Sequence, residues 1–175
     1  MNVVQAAKEF ATRAHAGQQR KYTGQPYITH PERVVELLGT TATEVQIAAA
    51  WLHDTVEDTE ATIEEIFRLF GPDVGALVAY LTDTTTLRDG NRAARKKLAR
   101  DRLASAPLAA QQVKLADILA NGECISLNDP DFWTVYLKEV LADVEAMDKV
   151  PECVRHAVWN KLYEFDKRSK EFTCL

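Results

Sequence analysis

The sequence predicts an all-α fold. Three observations carry this: no segment sustains a two-residue apolar/polar alternation, no Asn-Gly or Asp-Gly step joins two such segments into a hairpin, and apolar residues recur at three- and four-residue spacing. The first helix is read over residues 2–16, where Val3, Ala6, Ala7, Phe10, Ala11 and Ala14 form one stripe that closes at Gly17, a residue suited to a helix end. Later starts are marked by proline, whose missing N–H costs nothing in a first turn. Pro31, Pro72, Pro107, Pro130 and Pro151 each precede an apolar-periodic run, five of the six prolines. Helices are therefore read near 31–38, 43–58, 62–70, 72–84, 90–105, 107–120, 130–148 and 151–168. Thr43 with Gln46, and Thr62 with Glu65, have capping-box spacing and strengthen two of these starts.

The 175 residues are enough for one sizeable core, so a single domain over 1–175 is expected. Lys and Arg number 21 against 26 Asp and Glu, a net charge of −5, which lacks the electrostatic footprint of a general nucleic-acid binder. A local basic patch around a small anion is still allowed. The densest basic run holds Arg88, Arg92, Arg95, Lys96, Lys97, Arg100 and Arg102, for which a solvated helix face is the plain explanation. Cys124, Cys153 and Cys174 are odd in number and contain no CxxC pair, which argues against a disulfide framework or zinc finger and for a reducing compartment. Residues 1–9 lack the features of a signal peptide, and the longest apolar stretches, Ile47 to Leu52 and Val74 to Leu81, fall well short of the roughly 20 residues that span a bilayer. A cytoplasmic protein without a membrane partner is expected.

The chemistry concentrates in Trp51-Leu52-His53-Asp54-Thr55-Val56-Glu57-Asp58, where an apolar approach leads into four ionisable residues. On a continuous helix Glu57 lies one turn beyond His53 and Asp58 one turn beyond Asp54, so all four share one arc. Three carboxylates beside Ala48, Ala49, Ala50 and Leu52 would repel one another and lose water unless a cation neutralised them. Imidazole and carboxylate together suit Mn²⁺, Fe²⁺ or Zn²⁺ better than Ca²⁺. Further ligands must come from other helices. His30, held before Pro31 in Pro26-Tyr27-Ile28-Thr29-His30-Pro31, leads, followed by Asp117, which shares a helix face with Lys114 and Asn121.

The order His30, His53-Asp54, Asp117 resembles the HD-domain metal phosphohydrolases. The surrounding text, Ala14-His15-Ala16-Gly17-Gln18-Gln19-Arg20-Lys21, Pro26 to Pro31, His53 to Thr59 and Lys114-Leu115-Ala116-Asp117, resembles the hydrolase domain of RelA/SpoT homologues over about residues 6–121. With no synthetase region, the chain looks like a small alarmone hydrolase of that family.

The resemblance implies an HD-domain helical bundle in which His30, His53, Asp54 and Asp117 hold a single Mn²⁺ and Glu57 and Asp58 activate or orient water and manage protons. The implied reaction is hydrolysis of the 3′-pyrophosphate of (p)ppGpp to GDP or GTP plus pyrophosphate. Arg20 is implied as a stacking anchor for the base and Lys21 as an aid at the polar end, with Lys114 and Asn121 as ribose or phosphate contacts and Tyr136 as a late aromatic contact. Charge logic adds Arg92, Arg95 and Lys96 as phosphate clamps. The partner implied is a nucleotide, with a homodimer as one possible assembly. The chain departs from the family after Asn121, where Gly122-Glu123-Cys124 puts an acid at a usual basic position. That keeps adenosine alarmones open as substrates, beside an HD-domain nucleotidase of other specificity or a non-catalytic nucleotide sensor. His15 is read as a packing or hydrogen-bonding residue and His156 as a bystander; Trp51, Trp133 and Trp159 are read as core or interface residues.

Overall fold

Two helices with apolar residues on nearly every side cannot face water, and they set the centre of the molecule. The computed structural model describes residues 2–173. In order, the elements are α1 (Val3–Ala14), α2 (Thr29–Leu38), α3 (Glu44–Leu52), α4 (Thr55–Asp58), α5 (Ile63–Leu81), a 3₁₀ turn (Leu87–Asp89), α6 (Arg92–Ser105), α7 (Leu108–Asn128), α8 (Pro130–Ala146) and α9 (Glu152–Thr173). The central pair is α3, which buries Ala48, Ala49, Ala50, Trp51 and Leu52, and α7, which buries Val113, Ala116, Ile118 and Ala120 among others. α1 and α5 pack on α3, α2 bridges α3 and α7, and α8 and α9 close over α7. Among the described residues there is no strand, only an isolated bridge between Gln19 and Pro26, which places the one proline that starts no helix in a turn. No described helix is long and apolar enough to cross a membrane.

The element boundaries show where tertiary contacts overrule local signals. Thr43 and Gln46 form a complete capping box, whereas Thr62 caps Glu65 N–H without the return bond. The run expected to be one helix over 43–58 is broken at His53 and Asp54. There the His53 ring donates to the Ala50 carbonyl at 2.8 Å and the Thr55 hydroxyl to the Leu52 carbonyl at 2.7 Å, so side chains take acceptors that the helix ladder would use. Gly71, at φ 81°, divides α5 into two axes where the sequence places a break before Pro72. The second axis ends at Leu81 rather than 84, and the turn at Leu87–Asp89 has no forerunner in the apolar pattern.

α7 runs to Asn128 instead of stopping at 120. Gly122 reads locally as a helix breaker, but a Cβ there would come within 3.3 Å of Leu162 and of Phe165, so its bareness admits α9 against the middle of α7. α9 likewise extends to Thr173 rather than 168. Cys124 and Cys153 are free thiols; Cys174 lies outside the described residues.

Gln111 of α7 ties the end of α6 to the connection between α8 and α9. Fully buried, it donates to the Leu103 carbonyl at 3.0 Å and accepts from Lys149 N–H at 3.2 Å. Gln111→Leu keeps the volume but strands the Lys149 N–H, while the Leu103 carbonyl keeps the Ala106 N–H, so we expect a loss of about 1–3 kcal/mol in urea unfolding. An unchanged midpoint would mean that water replaces the amide.

Candidate functional site

Three separate segments aim four side chains at one point. His30 sits in the first turn of α2, stiffened by Pro31 and buried. His53 and Asp54 occupy the break between α3 and α4, and Asp117 projects from the buried face of α7. His30 Nε2 lies 3.2 Å from His53 Nε2, 3.4 Å from Asp54 Oδ2 and 3.1 Å from Asp117 Oδ1. His53 Nε2 lies 3.1 Å from Asp54 Oδ2 and 3.7 Å from Asp117 Oδ1. The helix break is what lets adjacent residues 53 and 54 point to the same place.

The donor set fits a divalent cation. His53 gives its Nδ1 proton to the Ala50 carbonyl, so in the neutral ring the Nε2 lone pair faces the carboxylates. A lone pair 3.1 Å from Asp54 Oδ2 is repulsive unless positive charge lies between them. Metal–ligand bonds of about 2.0–2.2 Å put neighbouring ligand atoms about 3.0–3.5 Å apart, close to the separations seen here. His30, His53 and Asp54 supply three ligand atoms within 4.8 Å of one another; Asp117 Oδ1 falls outside that mutual grouping but lies 3.1 Å from His30 Nε2 and 3.7 Å from His53 Nε2.

The electrostatics express the same demand. Burial works against charge on His53, yet Asp54 and Asp117 outweigh it and hold the ring well above its usual range. Burial also opposes ionisation of Asp54 and Asp117; His53 and His30 overcome it at Asp54, and Lys114 followed by the histidines overcomes it at Asp117, leaving both carboxyls well below the ordinary value. Tyr27, a residue that no spacing in the sequence singles out, donates its hydroxyl to Asp54 Oδ2 at 2.6 Å, and burial beside that carboxylate raises the phenol. Lys114 Nζ holds Asp117 Oδ2 at 2.6 Å and neutralises the far side of the carboxylate, while Asn121 donates to the near oxygen, Oδ1, at 2.7 Å.

Asp54 and Asp117 open onto a cavity of 310 Å³ that Glu57 and Asp58 also line. The Glu57 side chain is exposed overall and stands on the rim of that cavity. Loss of hydration there pushes it up to about 7, with Asp54 adding to the rise and the Asp83 N–H that it accepts opposing it. Lys96, Arg100, Arg102 and Lys114 bring positive charge to the same cavity. Of the three phosphate-clamp residues read from the sequence, only Lys96 lines it. Arg92 forks onto Glu139 through two bonds of 2.8 Å, and Arg95 also lies off the wall. Arg100, bonded to Asp143 at 2.8 Å, and Arg102, bonded to the Thr82 carbonyl at 2.8 Å and to the Thr84 hydroxyl, take the inward positions. Lys96, Arg100 and buried Leu103 fall on successive turns of one face of α6, so the burial of Leu103 turns that face inward.

Arg20 and Lys21 lie on the loop after α1, outside this cavity. Arg20 lines a neighbouring depression with Thr29, Arg33, Glu123 and Cys124 across the next face of α7, and no described residue pairs with its guanidinium. Glu123, the acid at the divergent position, accepts from Arg33 at 3.0 Å. Lys21 stands 3.2 Å from the Tyr22 hydroxyl and 3.8 Å from Asp129. Tyr136 packs at 6.1 Å from the Trp133 ring beside the cavity rather than on its wall. His156 is exposed.

Residues 7–144 match the HD domain family. The chain is 38% identical over 130 residues to the guanosine-3′,5′-bis(diphosphate) 3′-pyrophosphohydrolase MESH1 of Drosophila melanogaster, covering 72% of this chain and 71% of the relative. Identity to the Homo sapiens protein of the same name is 39% over 132 residues, covering 73% and 72%. A solved structure of a metazoan ortholog of SpoT, described as hydrolyzing ppGpp and playing a role in starvation responses, superposes with a TM-score of 0.80 at 29% identity and covers 96% of each chain.

Proposed function

The chain belongs to the HD-domain family, in its branch of small alarmone hydrolases, and from that membership we propose the mechanism by which it removes the 3′-pyrophosphate of ppGpp. It is a metal-dependent guanosine-3′,5′-bis(diphosphate) 3′-pyrophosphohydrolase. The observation that carries the mechanism is the meeting of His30, His53, Asp54 and Asp117 within 3.1–3.7 Å of contact at a cavity that also contains Glu57. These four residues hold the ion, which is Mn²⁺ in our reading. When bound, a divalent ion polarises a phosphoryl oxygen and lowers the pKa of water.

The protein's own groups then divide the work. Glu57, pushed up to about 7, takes a proton from the attacking water near neutral pH and can return it to the departing 3′-oxygen. The oxygen of water joins phosphorus, the bond from phosphorus to the 3′-oxygen breaks, and pyrophosphate leaves a free 3′-hydroxyl. Asp58, also on the cavity wall, orients the water. Lys114 and Asn121 serve the ribose or its phosphate, and Lys96 meets phosphate inside the cavity with Arg95 adding charge from the adjacent surface of α6; Arg92 joins the clamp only by exchanging its Glu139 partner for phosphate. Arg20 stacks on the base with Lys21 at its polar end, and Tyr136 supports the nucleoside from α8. The unpartnered guanidinium of Arg20 supports its assignment.

The enzyme is a single domain acting in the cytoplasm on a nucleotide rather than a nucleic acid, as the net charge of −5 supports, alone or as a homodimer. The direct test incubates purified protein and Mn²⁺ with ppGpp, ppApp and ordinary nucleotides and separates products by ion exchange. Pyrophosphate plus GDP from ppGpp is expected; inorganic phosphate alone would indicate a nucleotidase, and binding without turnover a sensor. For Arg20→Ala we expect KM to rise roughly 3- to 30-fold, the worth of one stacked guanidinium, with little change in kcat. Unaltered KM would remove Arg20 from the base site.

A further inference from the structure

Helix α4 has only four residues, Thr55–Asp58, yet it carries both members of the acid pair. A single turn has no stability of its own, so its orientation must be imposed by what holds its ends. At its start, Asp54 is held by the Tyr27 hydroxyl at 2.6 Å. At its finish, the Asp58 carbonyl is one of the acceptors that a helix leaves without an internal partner, and it receives Gln18 Nε2–H at 2.7 Å.

Both holds trace back to the loop that follows α1. Gln18 offers its other amide atom, Oε1, to His15 Nδ1 at 2.8 Å. Because Nε2 is committed as donor to Asp58, Oε1 must accept, and His15 therefore carries its proton on Nδ1. Without that proton the amide is free to flip and set oxygen against the Asp58 carbonyl oxygen. The Gln18 backbone carbonyl also accepts from Tyr27 N–H at 3.0 Å. Finally, the His15 ring stacks on Tyr27 with centroids 4.6 Å apart and planes 27° apart. His15 is only 3% exposed, and its Nε2 is buried without a hydrogen-bond partner. An aromatic hydrocarbon would fill this slot without stranding a nitrogen, so the histidine is explained by the Nδ1–H that it supplies.

We propose that His15 and Gln18 are positioning residues for the hydrolytic centre: the Nδ1–H of His15 fixes the Gln18 amide, which fixes the end of α4 and with it Glu57 and Asp58, while the same ring braces Tyr27 against Asp54. This rests on Glu57 and Asp58 serving as the acid pair. His15 touches neither substrate nor reacting atoms, and its effect passes through the placement of α4. Misplacement of a reacting group by about 1 Å costs on the order of 10²-fold in rate.

Three variants separate this role from packing. His15→Phe keeps a ring on Tyr27 and removes the donor; His15→Asn loses the ring but places an amide N–H near the Nδ1 position; Gln18→Glu keeps length and removes the donor to Asp58. We expect kcat to fall roughly 10- to 100-fold in His15→Phe and Gln18→Glu, with KM and bound metal unchanged within about 2-fold. His15→Asn should restore kcat to within about 3-fold of the parent, and amide exchange at Thr59 should speed up in the first two variants and not in the third. The double variant His15→Phe/Gln18→Glu should be no slower than Gln18→Glu alone, since both changes open the same link. Packing predicts the reverse order, with Phe tolerated and Asn damaging, and that order, or a His15→Phe enzyme with parental kcat, overturns the proposal. Asp58→Ala leaves the backbone link intact and is assayed alongside Glu57→Gln. Parental rates in both would overturn the acid-pair assignment itself, and the proposal with it, whereas slow acid-pair variants beside a fast His15→Phe overturn the positioning role alone.

Discussion

Asp54→Ala loses bound metal and activity together, with kcat falling on the order of 10³-fold or more, because the Lewis acidity supplied by a bound ion is worth several kcal/mol of transition-state stabilisation. The carboxylate sits at the junction of the site: its Oδ2 lies 3.1 Å from His53, 3.4 Å from His30 and 2.6 Å from the Tyr27 hydroxyl. Its removal leaves two imidazoles facing a single acid, Asp117, half of whose charge is already taken by Lys114. Asp54→Asn, nearly the same shape, separates loss of charge from loss of packing and should be almost as inactive. Elemental analysis of dialysed protein together with initial rates provides the check. Full turnover by a metal-free variant would exclude the mechanism.

Glu57→Gln retains the metal and loses kcat on the order of 10²–10⁴-fold, the usual contribution of general acid–base work. The sign of the pH dependence follows from its environment. Burial and the neighbouring Asp54 push the carboxyl up to about 7, and only the ionised form can accept a proton from water. The parental rate should therefore rise about tenfold per pH unit below this value and level off above it, and a bound cation moves the midpoint down without reversing the limb. In Glu57→Gln the acidic limb should disappear. If it survives unchanged, the titrating base lies elsewhere.

Stability gives a second reading of the same group. A carboxyl whose folded pKa is raised binds its proton more tightly in the folded state than in the unfolded one. Its contribution is fully present below the ordinary value of 4.5 and is lost as pH rises through about 7. Metal-free Glu57→Gln should accordingly melt higher than the parent at pH 8 and much closer to it at pH 4. Retention of an acid that destabilises the apo fold at working pH is what a catalytic group predicts, and a surface carboxylate would show no such crossover.

Much of the architecture was legible because a helical core writes itself locally. The Val3 to Ala14 stripe, the Thr43–Gln46 box and the prolines before α7, α8 and α9 each act within a few residues. The site was legible for a related reason: rare residue types in fixed order, His30, His53-Asp54, Asp117, leave a mark that composition cannot hide. The charged wall was only half legible. The basic run of α6 is plain in the sequence, but whether Arg92 or Arg100 turns inward depends on where α8 lies, and Glu139 draws Arg92 away from the cavity while Leu103 roots the 96/100/103 face toward it. Arg20, inside a stretch that carries the resemblance, lines a separate depression, a placement set by how the loop after α1 lies against α7.

By itself the sequence determined the helices, their approximate order and the residue types that gather at the candidate site, since propensity, capping and side-chain chemistry are properties of short segments. Only the tertiary structure decided that α3 breaks at His53, that Gly122 lies inside a helix rather than at its end, and that Glu57 is raised to about 7. These outcomes depend on groups distant along the chain, such as Leu162 against Gly122 and the α5 and α6 residues that wall the cavity beside Glu57. Close packing and lost hydration arise only when such groups meet, and no local pattern encodes that meeting.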